Sequence, residues 1–107
     1  MYRPKMVESL TVQDELKGIS DLLNEMKIKY EIGDGTIKVR GTVIHVNFGD
    51  WQDIYIRQKK AEITFGIRPS FRFLSVKKGR KTGQKILSKA WAYYDYGYLV
   101  ITSESGT

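Results

Sequence analysis

The chain has 107 residues, 41% of them hydrophobic, which suits one packed domain and leaves no room for a second core. It contains no cysteine, so disulfide scaffolds, zinc ribbons and thiol catalysis are excluded, and a reducing cytosol suits it. Eighteen Lys and Arg against twelve Asp and Glu leave a net charge of +6, which favours anionic partners and says nothing of fold.

Thr11, with Asp14 and Glu15 after it, has the pattern of a helix N-terminus: a side-chain cap, then acids in the first turn. Val12, Leu16, Ile19, Leu23 and Met26 recur at spacings of three and four, and Leu22 widens the stripe, predicting a helix from about Val12 to Lys27. Gly18 weakens that helix modestly. The period then changes to two, with Ile28, Tyr30 and Ile32, a Gly33-Asp34-Gly35 turn, and Ile37 and Val39. The apolar residues after Gly41 are Ile44, Val46 and Phe48, a change of parity that predicts a bulge or strand break at the glycine.

Three further strands are predicted at 53–58, 61–67 and 71–77, turning at Lys59-Lys60 and at Pro69-Ser70. Residues 79–83 form a basic, glycine-flanked loop. Ile86, Leu87, Ala90, Trp91 and Tyr94 return to helical spacing, predicting a second helix that Gly97 ends, before a buried strand over 98–102. This order implies a single α+β domain over residues 1–107. It has an N-terminal helix, a mostly antiparallel or mixed sheet of about five strands, a second helix and a closing strand, with loose ends at 1–10 and 103–107. Met1 to Glu8 lacks the apolar stretch of a secretory signal, and no apolar run approaches the roughly 20 residues of a membrane span. A soluble intracellular chain with no membrane partner is expected.

The charge is unevenly placed. Between residues 57 and 89 stand Arg57, Lys59, Lys60, Arg68, Arg72, Lys77, Lys78, Arg80, Lys81, Lys85 and Lys89, against Glu62 alone. The segments on either side are each slightly acidic. A solvated face ordinarily mixes signs, so one-sided charge of this size predicts nucleic acid as the partner, DNA ahead of RNA, with Arg57 to Lys85 as phosphate contacts. Aromatic residues lie among these cations and are able to stack on bases, although most are needed for the core of so small a domain. Tyr93 and Tyr96 fall off the helical stripe and are the aromatics expected at the surface.

Ala61-Glu62-Ile63-Thr64-Phe65-Gly66-Ile67-Arg68, then Phe71-Arg72-Phe73-Leu74-Ser75-Val76-Lys77-Lys78, then Gln84 on a helix and a closing strand after Gly97, resemble the PD-(D/E)xK nuclease superfamily. The layout is similar to its VRR-NUC and Holliday-junction-resolvase branches, and the likeness covers about residues 62 to 102. The resemblance implies a Mg²⁺-dependent endonuclease or junction resolvase, with Glu62 as a metal ligand and catalytic acid and Lys77 as the catalytic lysine. Ser75 stands where the second acid belongs, and the helix-borne acid is either Glu8 or Glu15. In another register, Asp50 or Asp53 pairs with Glu62 across a hairpin. The plainer account of Glu62 is that it balances its basic neighbours.

His45 is the only histidine, which excludes histidine-paired catalysis and multi-histidine metal sites. The Gly79–Gln84 loop lacks P-loop spacing, but its amides and cations suit a phosphate. No cofactor is expected, save Mg²⁺ if the chain is a nuclease. Three readings follow: a nucleic-acid-binding domain related to the nuclease fold, an active nuclease, or a small regulatory protein whose basic face binds an acidic protein partner.

Overall fold

The apolar stripe at the start of the chain forms the helix it predicts. In the computed structural model, which describes residues 12–47 and 52–103, α1 spans Val12–Glu25 and buries Leu16, Ile19, Leu22, Leu23 and Met26. The helix closes through a left-handed Lys27 (φ 57°). The Lys27 N–H donates to Asn24 O at 3.1 Å and the Ile28 N–H to Leu23 O at 2.9 Å, satisfying carbonyls that would otherwise be left over. The last turn of α1 carries no basic residue. Lys78 supplies the missing cation from a strand, its Nζ donating to Met26 O at 3.3 Å and Lys27 O at 3.0 Å.

Among the described residues nine strands follow: β1 (Glu31–Gly33), β2 (Thr36–Arg40), β3 (Thr42–Asn47), β4 (Gln52–Gln58), β5 (Ala61–Ile67), β6 (Arg72–Lys78), β7 (Lys81–Leu87), β8 (Ala90–Asp95) and β9 (Tyr98–Ser103). They make two antiparallel sheets, ordered β1-β2-β9-β8 and β3-β4-β5-β6-β7. The second is a plain meander of hairpins. The chain changes sheet at Gly41, where the parity breaks. A Cβ on Gly41 would stand 2.8 Å from Ile56 Cδ1 and 3.0 Å from Arg57 O, so the crossing needs the bare backbone. A bulge lies just beyond, between Val43 and His45.

Each sheet turns one apolar face inward. Ile37, Val39, Leu99 and Ile101 from one, and Ile56, Ile63, Phe65, Leu74 and Val76 from the other, join the helix stripe in one core. The helix bridges the two sheets, packing on β7 of the larger and on β2, β8 and β9 of the smaller.

The α+β expectation with a second helix is overturned. The described residues are mostly strand, with α1 as the helix, and the residues predicted as a second helix are β7 and β8. Ile86, Leu87, Ala90, Trp91 and Tyr94 fall at helical spacing only by running across a turn at Ser88-Lys89. The alternation that should have marked β7 is absent because Gly83 and Lys85 occupy inward positions. Gly83 lies beneath the helix, where a Cβ would meet Leu22 Cδ1 at 2.6 Å, and Lys85 runs its stem across Gly18. Ile86 therefore faces outward and is exposed. The loop predicted at 79–83 shrinks to a Gly79-Arg80 turn.

Glu15 fastens the corner that replaced the helix. Its carboxylate accepts from the Ser88 N–H at 2.6 Å, the Ser88 hydroxyl at 2.9 Å, and the Lys89 and Ala90 N–H groups at 2.8 Å each. Burial raises its pKa, but these donors outweigh burial and hold the carboxyl below its ordinary value. The strands predicted at 53–58, 61–67 and 71–77 agree with β4, β5 and β6 to within a residue at each end. Of the ends expected to be loose, 1–10 and 104–107 lie outside the described residues, and Ser103 closes β9.

Candidate nucleic-acid interface

Among the described residues the larger sheet leaves one face open, and its register aligns that face in three cross-strand rows. Arg57, Glu62, Lys77 and Thr82 form the first, Tyr55, Thr64, Ser75 and Gln84 the second, and Asp53, Gly66, Phe73 and Ile86 the third. Glu62 and Lys77, the two residues the nuclease resemblance singles out as catalytic, are thus direct partners across β5 and β6. Ser75 shares their face one row away, opposite Thr64.

Glu62 is spoken for. Arg57 Nη2 donates to Glu62 Oε2 at 3.2 Å. The Tyr55 hydroxyl lowers the Glu62 pKa most, exposure to Arg57 and Lys77 lowers it further, and partial desolvation opposes them. The Tyr55 hydroxyl is raised in turn, chiefly by its hydrogen bond to Glu62. Glu15, a candidate for the helix-borne acid, is consumed by the β7–β8 corner, and Glu8 lies outside the described residues. Asp53 faces Gly66, four residues along β5 from Glu62, so about 13 Å separates the two positions. The Asp53 carboxylate instead pairs with Arg68 at 2.8 Å, and that guanidinium lies over the Phe73 ring. Asp50 lies outside the described residues. Among the described residues no three His, Cys, Asp or Glu side chains form a metal-holding group. Glu62, Ser75 and Lys77 do not fit Mg²⁺: one carboxylate flanked by two cations offers too few oxygens and the wrong field.

The register also shows where the basic segment goes. The β4–β5 and β6–β7 hairpins turn at the same end of the meander, bringing Lys59, Lys60, Arg80 and Lys81 together just beyond the Arg57–Lys77 row. All four are exposed and pair with no acid among the described residues. The remaining predicted contacts are divided. Lys78 is at this end but is occupied with the helix carbonyls. Arg68 and Arg72 lie at the opposite end of the strands, Arg72 donating to Ser88 O at 2.7 Å and stacking over Trp91. Lys85 lies along the helix.

The fold adds two cations from outside the basic segment. The Gln58 side chain accepts from the Lys29 N–H and donates to the carbonyls of Lys29 and Arg40, each at 3.0 Å, tying the segment between α1 and β1 and the end of β2 to the β4–β5 hairpin. Lys29 and Arg40 thereby join Arg57 and Lys59 around a groove of about 640 Å³ that no acidic side chain lines among the described residues. Tyr94 forms part of its wall, its hydroxyl donating to Gly41 O at 2.7 Å, and the Gly41 N–H donates to Gly97 O at 3.0 Å. Lys29 and Arg40 stand in a stretch that is acidic overall, so neither composition nor charge runs mark them.

Tyr93 and Tyr96 are exposed as expected, but for reasons other than helical phase. Tyr93 projects from the outer side of β8, and Tyr96 sits in the β8–β9 turn. Tyr94 packs against the core. No helix among the described residues is long and apolar enough to cross a membrane. No family model, curated protein or solved structure matches the chain.

Proposed function

We propose that the chain binds nucleic acid through the cationic end of its five-stranded sheet. The observation that carries the reading is convergence: two hairpin turns and a groove place Lys59, Lys60, Arg80 and Lys81 beside Lys29, Arg40 and Arg57, with Glu62 as the acid in the row behind. Hairpin tips and a groove of this kind follow a phosphodiester backbone, releasing condensed counterions as each phosphate is neutralised. Positioning on the backbone is the chemistry these side chains support, and DNA is the form we expect. The matching test is fluorescence anisotropy of labelled DNA across salt concentrations. With about four phosphates neutralised, affinity falls on the order of a hundredfold between 50 and 200 mM salt. Undetectable binding at low salt, together with stable capture of an acidic protein surface, would favour the regulatory-protein reading instead.

A further inference from the structure

The β8–β9 hairpin is closed by Tyr96-Gly97, both left-handed, with φ of 46° and 87°, between the paired residues Asp95 and Tyr98. A two-residue turn of this form suits Asn-Gly, Asp-Gly or Gly-Gly, whose first residue tolerates the left-handed region. A tyrosine there is disfavoured by its backbone, and this one is 93% exposed. Its side chain enters no hydrogen bond or ring contact with the described residues. Neither the turn nor the core gains from the ring, so folding does not account for it.

Its position does suggest a use. Gly97, the next residue, lines the groove with Lys29, Arg40, Arg57 and Lys59. Arg40 Nη1 lies 3.9 Å from the point a Cβ on Gly97 would occupy, so a guanidinium of the groove borders the hairpin tip, held there by the Tyr98 ring and by a 2.6 Å hydrogen bond from its Nη2 to the Tyr98 hydroxyl. Asp95, the acid nearest in sequence, is exposed and does not line the groove.

We infer that Tyr96 is a stacking platform for an unpaired base at the mouth of the cationic groove, so that the ligand is single-stranded nucleic acid. This rests on the nucleic-acid reading above. Aromatic stacking accepts any base through its π-face, while groove cations hold the adjoining phosphate. In a duplex, base faces are covered by their neighbours and the ring has nothing to meet.

The test uses the full chain and fluorescent oligonucleotides of one length: a single strand, the duplex, and a single strand of abasic sites. Tyr96→Asn is the key variant because asparagine suits the left-handed turn, so the hairpin is kept and the melting temperature is held or raised. The single strand is expected to bind more tightly than the duplex. Tyr96→Asn weakens single-strand binding on the order of tenfold without changing its salt slope, Tyr96→Phe restores it, and the abasic strand is indifferent to either variant. Unchanged single-strand affinity in Tyr96→Asn, or an equal loss on the abasic strand, overturns the inference and leaves the nucleic-acid reading standing. Absence of binding to all three oligonucleotides at low salt overturns both.

Discussion

Replacing Glu15 by glutamine removes the charge that holds the β7–β8 corner to the helix. Four donors converge on the carboxylate at 2.6 to 2.9 Å. The amide keeps one acceptor oxygen but turns an NH₂ group toward N–H donors, leaving at least one of them without a partner. A hydrogen bond to a charged acceptor contributes about 1.5–3 kcal/mol, and water reaches this half-exposed corner, so the net loss is about 2 kcal/mol. For a domain near this size, that corresponds to a fall of about 8–16 °C in melting temperature. The pH dependence has a definite sign. The folded-state pKa of Glu15 is depressed, so its stabilisation is present above the ordinary carboxylate pKa and disappears as pH falls through the folded value. Thermal melts of wild type and Glu15→Gln, followed by circular dichroism, should therefore differ at pH 7 and converge in acid. Equal melting temperatures at pH 7, or a difference that persists unchanged to low pH, would refute the assigned role.

Other consequences follow from the same contacts. Gly83→Val places a side chain where Leu22 already stands and should cost about 1–3 kcal/mol in urea denaturation, with little change in m-value. Lys78→Met removes the cation from the helix C-terminus, lowering stability by about 1 kcal/mol while reducing DNA affinity less than Arg80→Gln does. Glu62→Gln removes the acid from the first row and should tighten DNA binding severalfold, roughly the value of one exposed charge. Cleavage of linear, single-stranded or branched DNA in Mg²⁺ that vanishes in Glu62→Gln would contradict that account and favour the nuclease reading.

The parts of the fold that were legible in the sequence are those where burial alternates cleanly. Ile54 and Ile56 in β4, Ile63 and Phe65 in β5, and Leu74 and Val76 in β6 point to one side at period two, and the strand boundaries followed. The same holds for the stripe of α1. β7 was illegible because its inward positions hold a glycine and a lysine whose packing partner is the helix, a tertiary contact with no local signature. Of the site, the basic hairpin turns were visible as a charge run, whereas Glu62 and Lys77 were linked only through the nuclease resemblance, and their pairing across β5 and β6 is a matter of register that local sequence does not specify. The groove was hidden, since Lys29 and Arg40 reach it only through the Gln58 side chain and the sheet change at Gly41. Tyr96 was flagged as exposed from a helical phase that does not exist; its exposure is a property of the turn.

The central claim is that the excess charge acts from one end of the sheet. The most direct measurement compares two variants of equal charge, Arg80→Gln/Lys81→Gln at that end and Lys85→Gln/Lys89→Gln away from it, by the slope of log K against log salt for DNA binding. The first pair should reduce the magnitude of the slope by about 1.4 on a single strand, or about 1.8 on a duplex, and the second should leave it at the wild-type value. Equal reductions in both variants would show that the charge acts as a diffuse field, and the interface assigned to this end would be wrong.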